Sequence, residues 1–517
     1  MLFSKLRQFF LTLIAVGGVW SVALAEISQE FIKTTNASID TLRKRECNLS
    51  VKINGAAASE KEVVVKQIRN HFGFGAATPK WAFTKSGVDT AAYDKAFQTY
   101  FEWATPENEM KWKYTDEQED IQNYAEADWL MNWGSQNDIK VRGHSLFWNE
   151  YDAWIPNWSK DLDTAGFRAA MERRINQAMT HFKGKVPQWD IINEIVHGPN
   201  NAVVIPGMLA ARSGKADVFS WIFKTARAID PDVRMGVNEY NVVEQVSAAK
   251  EYITEIKKIE SEGGKIDFVG LEGHFGDYME PSSYMARIDT ITKSLPGKEI
   301  WLTEVDFEID TLLRADKVEE LMRSAFAYPS VGGIMLWIWW EGNRWRPTYT
   351  SFLVDSNFTE NELGARWRKV RDEWKTNTSG VTSAAGTYAF KGFHGKYVVS
   401  VQKNADSAYV DTIYLEPGSG PKAIEVNLTK TVGVQESRKS APPRGFRFNG
   451  RTLPMASVGT AQVYLSTYTL SGKLVSTVPV SLADGGALQT DVAPGCHIFR
   501  LHTSGRVLYT GKVLAGR

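Results

Sequence analysis

Two glutamates stand where short apolar runs stop. Gln188-Trp189-Asp190-Ile191-Ile192-Asn193 leads into Glu194, and Ile300-Trp301-Leu302-Thr303 leads into Glu304. Both runs are rich in β-branched and aromatic residues, so each reads as a strand buried on both faces. A carboxyl group at the mouth of such a strand lies in poor solvent, which raises its pKa. Two of them facing one another suit glycoside hydrolysis, which needs one acid and one nucleophile or base. Either glutamate alone reads better as a strand-end residue in a solvated loop. The pair, with the residues around it, carries the functional reading.

The elements that must position the pair follow from a rhythm that begins at His71. Short apolar runs at 72–76, 100–104, 140–144, 188–193, 234–238, 268–273, 300–304 and 333–339 alternate with amphipathic stretches such as 167–182 and 246–263. The spacing is that of a βα unit. Eight such units closing on themselves predict an α/β fold, the TIM (β/α)8 barrel, over 71–375. A final helix is expected at 362–374. Barrel active sites lie at the C-terminal ends of the strands, and the chemically capable residues of this chain cluster there.

The flanks read as β-rich. A lead at 26–70 begins helical or loose. It then alternates through Glu46–Ile53 and turns at Asn54-Gly55, a hairpin signal with Val63-Val64-Val65 as the expected return strand. After a polar break at 376–380, an appendage runs to 430 with strands expected at 387–390, 397–402, 408–414 and 423–428. Residues 431–443 read as a linker. Residues 444–517 read as a small β-sandwich-like module with strands at 462–470, 473–478, 497–502 and 507–513.

Lys and Arg number 60, against 60 Asp and Glu. That balance argues against nucleic acid or an anionic membrane surface as the main partner. The 18 tryptophans suit a glycan cleft, where aromatic faces meet sugar rings, although core packing accounts for many of them. Lys5 and Arg7, an apolar stretch over 9–22 and the small-x-small Ala23-Leu24-Ala25 form an export leader, with the mature chain expected from Glu26. The apolar stretch is short for a membrane span. Cys47 and Cys496 lie far apart and are expected as free thiols. No zinc spacing or EF-hand loop occurs, so no metal or other cofactor is required.

Further residues gather at the predicted strand ends. Glu107-Asn108-Glu109-Met110-Lys111-Trp112 follows the second, Arg142-Gly143-His144-Ser145-Leu146-Phe147-Trp148 the third and Leu271-Glu272-Gly273-His274-Phe275 the sixth. Trp337 closes the eighth, with Glu341 and Trp345 beyond it. With the two glutamate strands, in this order over about 44–400, the chain resembles glycoside hydrolase family 10, the β-1,4-xylanases. Arg142–Trp148, the stretch from Arg314 to Trp337 and Lys391-Gly392-Phe393-His394-Gly395-Lys396-Tyr397 look closest to the plant-type branch. The resemblance implies a retaining endo-β-1,4-xylanase. Glu194 matches the family's acid/base and Glu304 its nucleophile. His274 matches the histidine beside the nucleophile, and Asp306 the partner that orients it. Asn193 matches the residue that holds the sugar hydroxyl next to the cleaved bond. Asn108, Lys111, His144 and Trp148 match one side of that bond, and Trp337 and Trp345 the stacking platform. Taken singly, each has a bland alternative in core packing, surface charge or capping.

Three positions depart from the family pattern. Glu272 stands where glutamine is common: ionised, it adds a third negative charge and raises the pKa of Glu194; protonated, it donates a hydrogen bond as the amide would. Asn149 stands where many compact xylanases have histidine, and Glu239 where aspartate is usual. Beyond the barrel, Val463-Tyr464, Ser471-Gly472-Lys473-Leu474-Val475, Pro494-Gly495-Cys496-His497-Ile498-Phe499-Arg500-Leu501 and Lys512-Val513 resemble the C-terminal sorting domain of type IX secretion substrates. That implies passage through an outer membrane, with surface attachment. The plain alternative is an accessory β-sandwich. Two other functions compete with xylan cleavage: a non-catalytic xylan-binding barrel, and a related retaining glycanase acting on mixed-linkage glucan or mannan.

Overall fold

The computed structural model describes residues 27–150, 154–197, 207–276, 280–309, 313–404 and 407–433, together with six strands between 445 and 515. The leader 1–25, most of the linker at 431–443 and the side chain of Cys496 lie outside the described residues. One compact unit comprises the chain up to Val401 with Tyr409–Lys430; a second comprises Gln402–Ala408 with Thr431–Arg517.

The first unit is built on a closed parallel barrel. Its strands are Gly73–Thr78 (β1), Trp103–Pro106 (β2), Lys140–Val141 with Gly143–Trp148 (β3), Gln188–Asn193 (β4), Arg234–Asn238 (β5), Phe268–His274 (β6), Glu299–Asp306 (β7) and Val331–Leu336 (β8). Strand β3 is interrupted at Arg142. Its first piece pairs with β2 and its second with β4. The ring then runs in order through β8, which returns to β1. All pairs are parallel, as βα units require.

The second strand begins three residues later than the sequence suggested. Tyr93, Phe97 and Tyr100 are buried on one face of a helix, Thr90–Tyr100, and the N–H of Phe101 still bonds to the carbonyl of Phe97 at 2.9 Å. An aromatic-rich helix end has the composition of a strand, and only its spacing of three to four residues separates the two.

Trp103, Phe268, Trp301 and Met335 pack into one small apolar cluster of the barrel. Close packing there depends on absent side chains. A Cβ on Gly333 would lie 2.3 Å from the Trp301 ring, and one on Gly143 would lie 2.2 Å from Trp189. Glycine on one strand makes room for an indole from the next. The helices pack outside this layer around a continuous apolar core.

The lead and the appendage are strands of shared sheets. Lys44–Ile53 lies between Thr387–Phe393, antiparallel, and Lys422–Leu428, parallel. Glu62–Asn70 lies between Asn377–Val381 and Gly395–Asn404. Cys47, Leu49, Val51, Val63 and Val65 from the lead share one core with Tyr397, Val399, Ile413, Leu415, Val426 and Leu428. Val63–Val65 is therefore not the return strand of the Asn54-Gly55 hairpin. That role falls to Ala56–Ala57, which pairs with Lys52 and Ile53. The expected polar break at 376–380 is also a strand, Asn377–Val381. Its side chains carry no apolar stripe, and its place is set by backbone pairing with Glu62–Lys66. The preceding helix Gln29–Leu42 is followed by Arg43, whose half-buried guanidinium donates to the carbonyls of Phe326, Tyr328 and Val331.

The second unit holds a four-stranded antiparallel sheet in the order Leu474–Val480, Val463–Tyr468, Gly495–His502, Val507–Ala515, and a hairpin of Gly445–Phe448 with Arg451–Pro454.

Candidate active site

The barrel strands deliver their terminal residues to one cleft of about 680 Å³. Asn108, Lys111, His144, Trp148, Asn193, Glu194, Glu272, His274, Glu304, Trp337 and Trp345 all line it. Of the residues to which the family resemblance gives a site role, Asp306 alone lies outside the lining. It stands behind His274, accepting from Nδ1 at 2.8 Å and from the indole N–H of Trp345 at 2.6 Å. A second cavity of about 660 Å³ lies at the other end of the barrel, against the starts of β3 and β4. It contains none of these residues.

Glu304 is 4 % exposed, and the donors and cations around it favour its charged form against burial. Its Oε1 accepts from Asn238 Nδ2 at 2.7 Å and lies 3.9 Å from His144 Nε2. Its Oε2 lies 3.3 Å from His274 Nε2. Each histidine is backed by an aspartate: His144 Nδ1 meets Asp190 at 2.9 Å, and Arg142 in turn bonds Asp190. Burial pushes the Glu304 carboxyl up. The hydrogen bond from His274 and the charges of His144, His274 and Lys111 outweigh it and hold the pKa at about 2. His274 moves the opposite way. Burial lowers its pKa, but Asp306 and the two glutamates raise it well above the ordinary range, so it faces Glu304 as a cation.

Glu194 is 7 % exposed and has the reverse environment. Burial raises its pKa well above the usual carboxyl range, and Glu272, Glu150 and Glu239 add to it when ionised. Its Oε1 accepts a long bond from Asn193 Nδ2 at 3.3 Å, and the Trp148 indole pulls its pKa down against the larger effect of burial. Its backbone is left-handed, at φ 56°. That conformation costs an L-residue roughly 1–3 kcal/mol and collects at functional sites. It turns the chain out of β4, and the N–H of Glu194 is tied to the carbonyl of Asn238 at 2.7 Å. Asn193, Asn238 and Glu304 continue the hydrogen-bonded chain, since Asn238 Nδ2 also reaches Asn193 Oδ1 at 2.9 Å. Two carboxyl groups in one cleft are thus driven to opposite protonation states, the arrangement that assigns acid and base roles.

Lys111 Nζ bonds Asn108 Oδ1 at 3.2 Å and lies 4.6 Å from the Trp148 ring centre. Burial lowers its pKa, opposed by the charges of Glu304 and Glu107. Trp148 stacks on Trp154 at 4.1 Å, with planes 4° apart. Trp337 stands edge-on to His144 at 5.5 Å, and Trp345 edge-on to His274 at 5.1 Å. Trp345 is 46 % exposed, the most open indole of the site.

Sequence reasoning missed Asn238, the donor that links Asn193, Glu272 and Glu304. The available signal was its place at the end of β5, one residue before Glu239. It also missed Tyr240, Glu244, Arg346 and Tyr349 in the cleft wall, which carry no local motif. Two of the departures prove to be supports. Asn149 is fully buried and accepts from the N–H of Leu209 at 3.1 Å. Glu239 accepts from the N–H of Val196 and from His197, each at 2.7 Å, and so holds the segment after Glu194. Among the described residues, one grouping converges closely enough for a cation: Glu272, His274 and Glu304, within 4.8 Å of one another. Its oxygens already face the N–H groups of Asn238 and His274, and no metal is assigned to it.

A closed (β/α)8 barrel with paired, oppositely poised carboxyl groups at the strand ends defines the class. The family model for glycosyl hydrolase family 10 matches residues 64–367. The chain is 35% identical over 393 residues to the anti-sigma-I factor RsgI6 of Acetivibrio thermocellus, covering 76% of this chain and 49% of that protein. It is 30% identical over 402 residues to endo-1,4-beta-xylanase 1 of Arabidopsis thaliana, covering 77% and 40% respectively. The chain therefore spans half or less of the length of these curated relatives. Xylanase 10B from Thermotoga petrophila in complex with xylobiose superposes with a TM-score of 0.53 at 21% identity, over 59% of this chain and 94% of that one. Native xylanase 10B from Thermotoga maritima gives 0.53 at 23%, over 59% and 95%. At that identity the likeness shows the fold. The chain belongs to glycosyl hydrolase family 10.

Proposed function

We propose that this chain is a retaining endo-β-1,4-xylanase, with Glu194 as acid/base and Glu304 as nucleophile. The observation that carries the reading is the opposite drive on the two carboxyl groups of one cleft. Glu304, ionised, attacks the anomeric carbon, while Glu194 gives its proton to the departing glycosidic oxygen. The bond to the leaving sugar breaks as the glycosyl–Glu304 ester forms. Glu194, now a carboxylate, takes a proton from water, which attacks the same carbon and releases Glu304. His274, fixed by Asp306, and His144, fixed by Asp190, keep Glu304 charged and aimed. Asn193 holds the hydroxyl beside the reacting carbon, a contact that strengthens as the oxocarbenium-like state forms. Trp337 and Trp345 supply faces for the rings, and Lys111 with Trp345 crowds the place where a hexose would carry the hydroxymethyl group that xylose lacks.

The test is hydrolysis of soluble xylan with detection of the anomer first released. Release of the β-anomer in the interior of the polymer is expected. The α-anomer first, or faster cleavage of carboxymethyl-cellulose, would displace the proposal. A second reading is favoured by one observation, the likeness to an anti-sigma factor: a barrel that binds xylan without turning it over. Saturable binding with no new reducing ends would select it.

We also infer export. The basic and apolar start of the chain supports cleavage after Ala25, and the strands of the second unit support a sorting or attachment role for 444–517. Mature protein starting at another residue, or remaining in the cell, would count against this.

A further inference from the structure

Hydrogen atoms are scarce around Glu304. Asn238 Nδ2 faces three oxygens: Asn193 Oδ1 at 2.9 Å, Glu272 Oε1 at 2.8 Å and Glu304 Oε1 at 2.7 Å. Its orientation is fixed, because the hydroxyl of Thr303 donates to the other end of the amide. His274 Nε2 faces two more, Glu304 Oε2 at 3.3 Å and Glu272 Oε2 at 3.5 Å, while its Nδ1 is committed to Asp306. The amide brings two N–H hydrogens and the imidazolium nitrogen one. Three hydrogens therefore face five oxygens. With both carboxylates ionised, two buried negative charges would compete for them, which is strongly unfavourable at this depth.

We propose that Glu272 works as a neutral carboxylic acid, a positioning residue that leaves the donors of Asn238 and His274 to Glu304, and that ionisation of Glu272 switches the site off. The proposal rests on the xylanase reading for its activity but not for its protonation state. Glutamine at this place would serve at every pH. A carboxyl group serves only while it keeps its proton, so the exchange builds an alkaline shut-off into the site.

The surroundings agree. Glu272 is 2 % exposed. The titratable groups in electrostatic reach of it are Glu304 on β7, His274 on its own strand, Glu239 and Tyr240 at the end of β5, Glu194 at the end of β4 and Tyr252 on the helix Val246–Ser261. Burial and the charge of Glu304 push its carboxyl up to about 8, against the opposing pull of His274. Ionised Glu272 would take the His274 and Asn238 donors from Glu304. It would also place a negative charge beside Glu194.

The test is the pH dependence of kcat/KM on soluble xylan for the wild type and Glu272→Gln. The readout is the position of the alkaline limb relative to each enzyme's own maximum, so it does not depend on how much of the rate the variant keeps. The alkaline limb of the variant should move up, from the value set by Glu272 to the one set by Glu194 alone. Active Glu272→Gln with an unmoved alkaline limb overturns the proposal. A second measurement needs no turnover. In Glu194→Gln, an infrared band of a protonated carboxyl should persist at neutral pH, titrate near pH 8 and vanish in Glu194→Gln/Glu272→Gln. Its absence also overturns the proposal. Failure of the wild type to cleave xylan, with the band present, would instead refute the xylanase reading.

Discussion

Removing the amide of Asn238 has a cost that can be worked out and measured. In Asn238→Ala, Glu304 loses the 2.7 Å donor to its Oε1. A hydrogen bond to a charged group contributes about 1.5–3 kcal/mol. At about 1.4 kcal/mol per pKa unit, its loss raises the Glu304 carboxyl by roughly one to two units. The sign follows from the folded state. Glu304 is held below its unfolded value, at about 2, so removing a donor to the charged form moves it up. The acid limb of kcat/KM on xylan should shift upward by that amount, while the alkaline limb, set by groups that lose a proton, moves less. Stability follows the same linkage. The stabilisation from ionised Glu304 is present above the unfolded pKa and is lost as pH falls towards about 2. The variant has less of it at neutral pH. It also strands the buried hydroxyl of Thr303, which costs about 1–3 kcal/mol. The assay is a pH series of initial rates, with circular dichroism to confirm folding. A folded variant whose rate drops equally at every pH, with the acid limb in place, would show that this amide does not hold the Glu304 carboxyl down.

Glu304→Ala should abolish xylan cleavage. Glu194→Ala should cut it by about 10²–10⁴, lose far less on an aryl glycoside with a good leaving group, and accumulate a glycosyl–enzyme visible by mass spectrometry; near wild-type turnover in either variant contradicts the acid/base and nucleophile roles. Gly333→Ala drives a methyl group to 2.3 Å from Trp301, so thermal unfolding should report a loss of about 1–3 kcal/mol, and an unchanged Tm would mean the indole moves at no cost. Cys47 is 0 % exposed, and burial pushes its thiol up to about 11; iodoacetamide should leave it unmodified in the native protein and label it on unfolding, whereas rapid native labelling would contradict its burial.

The barrel was legible because buried parallel strands leave unbroken apolar runs, and β4 and β5 match their expected bounds. Boundaries failed where composition mimics another element, as in the aromatic end of Thr90–Tyr100, or where a strand has no apolar face, as in Asn377–Val381. The lead and appendage were legible as strands but not as partners, since long-range pairing leaves no local mark. Within the site, residues in dense motifs were found and Asn238 was not, because a single asparagine at a strand end looks like a turn. The protonation of Glu272 could be posed from sequence as two alternatives. Separating them required counting the donors around it.

The order in which the chain is made gives the shared sheets a further consequence. Lys44–Ile53 emerges early, and its partners Thr387–Phe393 and Lys422–Leu428 follow roughly 330 and 370 residues later. At typical synthesis rates that is a wait of roughly 15–70 s with both edges of a strand open. Open edges recruit other chains. A truncation drawn at the end of the family match would make that wait permanent, which marks residue 433, the end of the last strand in these shared sheets, rather than the last barrel helix, as the shortest safe stopping point for the barrel and its sheets.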